Sequence, residues 1–172
     1  MKKVGIVAGS FDPITRGHEF LIVEASRLVD ELYVVVGVNP SKRYTFTDDQ
    51  RINMVELSLA ELGLCSAHSG APQVTTILNT GNLLIDLAGD LGATHLFRGI
   101  RDTNDLNYEL QIQAVNRKIN PNIQTVFFSP PAEYTEVSSS TVKGLVGFRD
   151  WEHIVSRYVR EHVIRAFKEV QQ

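Results

Sequence analysis

The sequence predicts an α/β fold built on a doubly wound, mostly parallel five-stranded sheet, and three observations lead there. Short β-type runs at residues 4–8, 32–38, 73–78, 94–97 and 125–128 alternate with helical patterns, the order that parallel strands and helical crossovers demand. The run Tyr33-Val34-Val35-Val36 is apolar on both faces, as a strand buried between two helical layers should be. No repeat, low-complexity segment or linker interrupts the alternation, and 172 residues with 43% apolar side chains suit one domain with a real core.

The elements follow in order. After the first strand, Leu21, Ile22, Ala25, Leu28 and Val29 keep helical spacing. Thr47 and Gln50 make a capping box before a second stripe of Ile52, Val55, Leu59 and Leu62. Each stripe is expected to cover the sheet. Residues 64–72 are the least patterned and are expected to form an exposed loop. Leu84, Leu87, Ala88 and Leu91 form a third stripe closed by Gly92, and Tyr108, Ile112, Val115 and Ile119 a fourth that ends before Pro121. From Tyr158 onward a final helix places Val159, Val163, Ala166, Phe167 and Val170 on one side. A single domain over 1–172 is expected, with the helical segment of about 151–172 packed on it.

Composition narrows the function. A formal net charge of -3 argues against general attraction to nucleic acid or anionic lipid, so any anion site must be local. Cys65 is the only cysteine and has no partner for an internal disulfide. The apolar run behind Met1-Lys2-Lys3 is too short for a signal peptide, and no segment approaches the length of a membrane span. The expectation is a soluble cytoplasmic protein with neither nucleic acid nor membrane as a partner.

In an open parallel sheet, ligands bind beyond the carboxyl ends of the strands, where strand order reverses. Gly9-Ser10 follows the first strand, Ser41-Lys42 the second and Arg98-Gly99-Ile100-Arg101 the fourth, while Ser138-Ser139-Ser140-Thr141 lies beyond the fifth. All four are expected to share one edge. Gly9 permits a tight turn, Asp12-Pro13 favours a nonhelical connection, and Thr15 can cap a helix whose free backbone donors suit phosphate. His18 falls in the first turn of that helix, at the open edge of the sheet. Alone it reads as structural; beside the other three segments it reads as part of a site.

Lys42 is either solvated or placed by the strand that ends before it, and Arg98 and Arg101 are either surface charges or two permanent cations around an accessible glycine. The serines are either a helix cap or a phosphate cradle. Tyr108 reads as core packing, and Glu109 as solvated or as an acceptor for a ligand hydroxyl. Asp86 and Asp90, four apart on a helix, mark a solvated face and receive no chemistry.

The joined pattern G-S-F-D-P-I-T-R-G-H at 9–18, then Ser41-Lys42, R-G-I-R-D at 98–102, N-Y-E at 107–109 and V-S-S-S-T at 137–141, closely resembles the bacterial phosphopantetheine adenylyltransferase family over most of the chain. Related nucleotidyltransferases commonly carry H-x-G-H, whereas Thr15-Arg16-Gly17-His18 has the T-x-G-H form of the phosphopantetheine enzymes. The resemblance implies a Rossmann-like nucleotidyltransferase fold and the transfer of AMP from ATP to 4'-phosphopantetheine. The products are then dephospho-coenzyme A and pyrophosphate, with magnesium assisting through the ATP phosphates and coenzyme A a further candidate ligand. It also implies a homohexamer. By motif, Ser10, Lys42, Leu84 and Arg98 contact phosphopantetheine. Ser10, Phe11, His18, Gly99, Ile100, Arg101 and Glu109, with Tyr134, Thr135, Glu136, Val137, Ser138, Ser139 and Ser140, line the ATP site. The chain departs from the family pattern at Ala8, Asn107, Glu136 and Arg160.

An acceptor phosphate is already ionised near neutral pH, so attack on the α-phosphorus needs positioning and charge stabilisation rather than a strong base. His18 is expected to donate to the α-phosphate, Lys42 to orient the acceptor, and Arg101 with the serines to hold pyrophosphate. The charge state of His18 stays open, as do three rivals. These are a nucleotidyltransferase for another acceptor, a noncatalytic nucleotide sensor, and a relic of an aminoacyl-tRNA synthetase. Thr15 and the short acidic chain count against the first and last.

Overall fold

The computed structural model describes residues 2–65 and 72–170, so most of the loop expected at 64–72 lies outside the described residues. Five strands, β1 (Val4–Gly9), β2 (Glu31–Val38), β3 (Gln73–Thr80), β4 (His95–Gly99) and β5 (Gln124–Phe128), pair in parallel in the order β3-β2-β1-β4-β5. Each lies within two residues of its expected position at either end. Helices α1 (Arg16–Ser26), α2 (Asp48–Glu61), α3 (Leu84–Asp90) and α4 (Thr103–Ile119) make the crossovers.

Period-two alternation divides the strands between two cores. Val7, Val34, Val36 and Phe97 face one side, where α1 supplies Leu21, Ile22 and Ala25 and α2 supplies Met54, Val55 and Leu59. Ile6, Val35 and Leu96 face the other, against Ile85 and Ala88 of α3. Gly5 sits where β1 is crowded from the side, because a β-carbon there would stand 2.6 Å from the Phe97 ring. Thr47 and Gln50 exchange the expected capping bonds at 3.3 and 2.9 Å, and Gly92, at φ 64°, ends α3 as its position suggested.

Two expectations are corrected. The stripe on α4 does not cover the sheet: Tyr108, Ile112, Val115 and Ile119 are 37–60% exposed, and Glu109 is the helix's buried residue. Tyr108 is therefore not core. The helix expected from Tyr158 starts only at Glu161, as α8 (Glu161–Val170), and a short α7 (Trp151–Val155) precedes it, with Tyr158 in the turn between them. That turn has a use, since the Tyr158 carbonyl accepts the backbone N–H of Arg16, the first residue of α1, at 2.8 Å. A helix's leading N–H groups lack partners within it, and a distant carbonyl here supplies one. Trp151, Val155, Val163, Ile164 and Phe167 then complete the first core. Between β5 and α7 lie α5 (Ala132–Thr135) and α6 (Ser139–Leu145).

Candidate active site

Strand order reverses between β1 and β4, and a cavity of about 400 Å³ opens beyond their carboxyl ends. The four segments meet there: Gly9 and Ser10, Lys42, Arg98 with Gly99 and Arg101, and Ser138, Ser139 and Ser140 all line it. His18, Glu109, Tyr134 and Val137 complete the expected lining, and Phe20, Phe128 and Asp105 join it unforeseen. Ile100, Thr135 and Glu136 do not line it. Ile100 donates its N–H to the Phe128 carbonyl at 2.8 Å, and Glu136 caps α5. Leu84 lines an adjoining cavity of about 290 Å³ that shares Arg98 and Glu109 with the first.

The first wall is the loop after β1. Phe11 holds a left-handed φ of 47° and is fully buried, so its side chain points to the core rather than lining the cavity as expected. Its ring supports His18 edge-on, with centroids 5.1 Å apart. Thr15 caps α1 in a capping box whose third position is His18 instead of the usual Glu or Gln. The Thr15 backbone N–H donates to His18 Nδ1 at 3.1 Å, and Thr15 Oγ1 lies 2.9 Å from the same nitrogen. A ring that accepts at Nδ1 carries its proton on Nε2. Burial, followed by repulsion from Arg101 and Arg98, lowers the imidazole pKa to about 4. With the pKa lowered that far, the imidazole of the free protein is neutral near pH 7.

Two buried charges missed by sequence reasoning brace this loop. Arg51, fully buried on α2, donates from Nη1 to the carbonyls of Ser10 at 2.6 Å and Gly37 at 3.0 Å, and from Nη2 to Asp48 at 2.6 Å. Asp12, 2% exposed, bonds the loop after β2 and a lysine of α6. Arg160, one of the departures from the family pattern, reaches buried Glu19 beside His18 at 2.7 Å and Glu61 of α2 at 2.6 Å.

The second wall belongs to β4 and α4. Arg98 grips Glu109 through Nε and Nη2 at 2.8 and 2.6 Å and donates from Nη1 to the Ala8 carbonyl at 3.1 Å. Glu109 is thus neither solvated nor idle. Arg101 pairs with Asp105 at 2.8 and 3.2 Å, and those bonds hold the Asp105 carboxyl below the usual carboxylate range. Lys42 is exposed, and its ammonium forms no ion pair among the described residues. The serines divide their work. Ser138 Oγ caps α6 by accepting from Thr141 N–H at 2.9 Å, Ser139 Oγ donates to the Pro13 carbonyl at 2.7 Å, and Ser140 stands exposed at the cavity.

Among the described residues no group of three or more His, Cys, Asp and Glu is placed to hold a metal ion, and no helix is long and apolar enough to cross a membrane. Residues 6–145 match the cytidylyltransferase-like family. A phosphopantetheine adenylyltransferase from Chromobacterium violaceum is 40% identical over 95% of this chain and 94% of its own. One from Streptococcus uberis is 36% identical over 85% and 82%. The fold also matches the solved nicotinic acid mononucleotide adenylyltransferase of Plasmodium falciparum in complex with NaAD. The TM-score is 0.66 at 19% identity, covering 96% of each chain.

Proposed function

The chain belongs to the phosphopantetheine adenylyltransferase branch of the cytidylyltransferase-like family, and from that premise we propose that it transfers AMP from ATP to 4'-phosphopantetheine. A phosphate oxygen of the acceptor attacks the α-phosphorus, the bond from that phosphorus to the bridging oxygen of the β-phosphate breaks, and pyrophosphate leaves as dephospho-coenzyme A forms. No covalent enzyme intermediate is needed.

The observation that carries this reading is the setting of His18. An imidazole locked at Nδ1 by Thr15, neutral, and lining a cavity with Lys42, Arg98 and Arg101 is a fixed N–H donor among cations. Such a donor favours the charge that develops on the α-phosphate in the transition state. Lys42, whose ammonium has no carboxylate partner among the described residues, orients the acceptor phosphate. Arg101 and the exposed Ser140 hold the β- and γ-phosphates, while Ser10 and Gly99 offer the close approach of backbone. Leu84 and the shared Arg98 extend the acceptor side into the adjoining cavity.

The reaction class calls for a divalent metal, and the donors present fit one held by the ligand rather than by the protein. Both carboxylates on the cavity are engaged, Glu109 by Arg98 and Asp105 by Arg101. Magnesium would neutralise the phosphates while bound chiefly to their oxygens and to water. A reaction that consumes ATP and a soluble phosphate acceptor suits the cytoplasm.

Incubation with ATP, magnesium and 4'-phosphopantetheine should give dephospho-coenzyme A and pyrophosphate by mass spectrometry. Absence of both under varied conditions overturns the assignment, and turnover with nicotinamide mononucleotide instead reassigns the acceptor. We also propose a homohexamer, supported by the uncovered apolar face of α4. Light scattering should give six chain masses, and Val115→Glu, which puts a charge in that face, should release smaller species.

A further inference from the structure

The loop after β1, the loop after β2 and α6 come from distant parts of the chain, yet one carboxylate joins them. Asp12 lies between Ser10 and His18, is 2% exposed, and does not line the cavity. Its Oδ1 accepts the backbone N–H groups of Thr45 and Phe46, both at 3.0 Å. Its Oδ2 accepts from Lys143 Nζ at 2.7 Å. Thr45 and Phe46 close the loop that begins with Lys42, and Lys143 follows Ser139 and Ser140 on α6. Ser139 Oγ adds its bond to the Pro13 carbonyl, so α6 is tied twice to neighbouring residues of the first loop.

A carboxylate removed from water is tolerated only when donors replace the water it loses. Here the donors come from two separate segments at the site, the loop after β2 and α6, so neither can shift without leaving part of a buried charge unpaired. Charge-assisted bonds of this kind are short and directional, and they fix position as well as contribute energy.

We infer that Asp12 is a positioning residue that sets the Lys42 loop and the α6 serines in register with His18 and so couples the two substrate subsites. The inference rests on the proposed adenylyl transfer only in taking Lys42 as the acceptor side and 138–140 as the nucleotide side. A ligand that orders either segment steadies Asp12 and, through it, the other segment. Linkage makes this reciprocal: whatever ATP does for acceptor affinity, the acceptor does for ATP.

Two variants test it. Asp12→Asn keeps the side chain's size but turns one acceptor into an N–H2 that faces a donor. It should lower kcat on the order of 10²-fold and raise KM for both substrates, the result of reacting groups moved by a fraction of an ångström. Lys143→Met removes one of the two ties of α6 and should raise KM for ATP well above any change for the acceptor. The inference is overturned if Asp12→Asn lowers kcat with both KM values unchanged, the mark of fewer folded molecules. It is equally overturned if Lys143→Met leaves the KM for ATP unchanged. Hydrogen exchange on the full chain needs no acceptor and gives a second decision. Asp12→Asn should lose protection in 41–47 and 138–145 together, and Lys143→Met chiefly in 138–145; unchanged protection in both segments of Asp12→Asn overturns the role. A wild-type protein that makes no dephospho-coenzyme A would defeat the functional reading and leave the exchange data to decide on Asp12.

Discussion

The two walls of the cavity are built in opposite ways. Around His18 the polar groups find partners inside the protein. Thr15 holds Nδ1, Arg51 the Ser10 carbonyl, and the Tyr158 carbonyl the head of α1. Across the cavity Arg98 and Arg101 lean on Glu109 and Asp105, two carboxylates one turn apart on α4, and Arg101 is 38% exposed. The first wall has its geometry before a ligand arrives. If the second binds phosphate as proposed, its arginines must share or exchange their carboxylates. On the proposed reaction the rigid wall faces the α-phosphorus, where charge develops, while on the exchangeable one Arg101 faces the group that has to leave and Arg98 the acceptor. Fixed donors are most effective where they need not reorganise during reaction, while a cation with an alternative partner can release its anion.

The contrast breaks most visibly at His18. His18→Ala should lower kcat on the order of 10² or more while ATP affinity, read by titration calorimetry, changes little. Unchanged turnover would leave the rigid wall without a purpose. Next in size is its brace. Arg51→Met removes the donor to Ser10, Gly37 and Asp48 from a fully buried site, and should cost on the order of 3 kcal/mol in urea unfolding. A stability within error of wild type would mean that the loop is held by something else.

The same contrast explains what the sequence disclosed. Strand runs, the capping box at Thr47 and the stop at Gly92 are local signals, and the structure keeps all of them. Four segments at strand ends were enough to assemble the cavity, because parallel topology alone brings strand ends to one edge. The buried charges of Arg51 and Asp12 were not legible because charged residues are ordinarily solvated, and nothing within a few residues of either announces a partner more than thirty positions away. Tyr158 misled for the same reason, its carbonyl being claimed by Arg16. On α4 the period of Ile112, Val115 and Ile119 marks an apolar face truly but does not say what covers it.

A smaller effect is expected on the exchangeable wall. Asp105→Asn leaves Arg101 without its anion, so triphosphate should bind more tightly. A partly exposed ion pair contributes up to about 1 kcal/mol, which limits the gain to about five-fold. The sign matters more than the size. A weaker complex would show that Asp105 itself contacts the ligand, and that this wall is no more exchangeable than the one opposite.

The smallest expected effect is none at all, and it bears directly on how well the rigid wall is sheltered. Folding lowers the His18 pKa from the ordinary 6.5 to about 4, so between those values the unfolded chain binds a proton that the folded one does not. Stability from this group is therefore complete above the unfolded pKa and is lost as pH falls from there toward about 4. In the free protein the imidazole should show no titration by NMR from about pH 6 to 8, and its nitrogen shifts should report a proton on Nε2 throughout. A step near the ordinary histidine value would mean that solvent reaches the ring and that Thr15 does not hold its tautomer. His18 would then be as exchangeable as the arginines opposite, and the difference between the two walls would disappear.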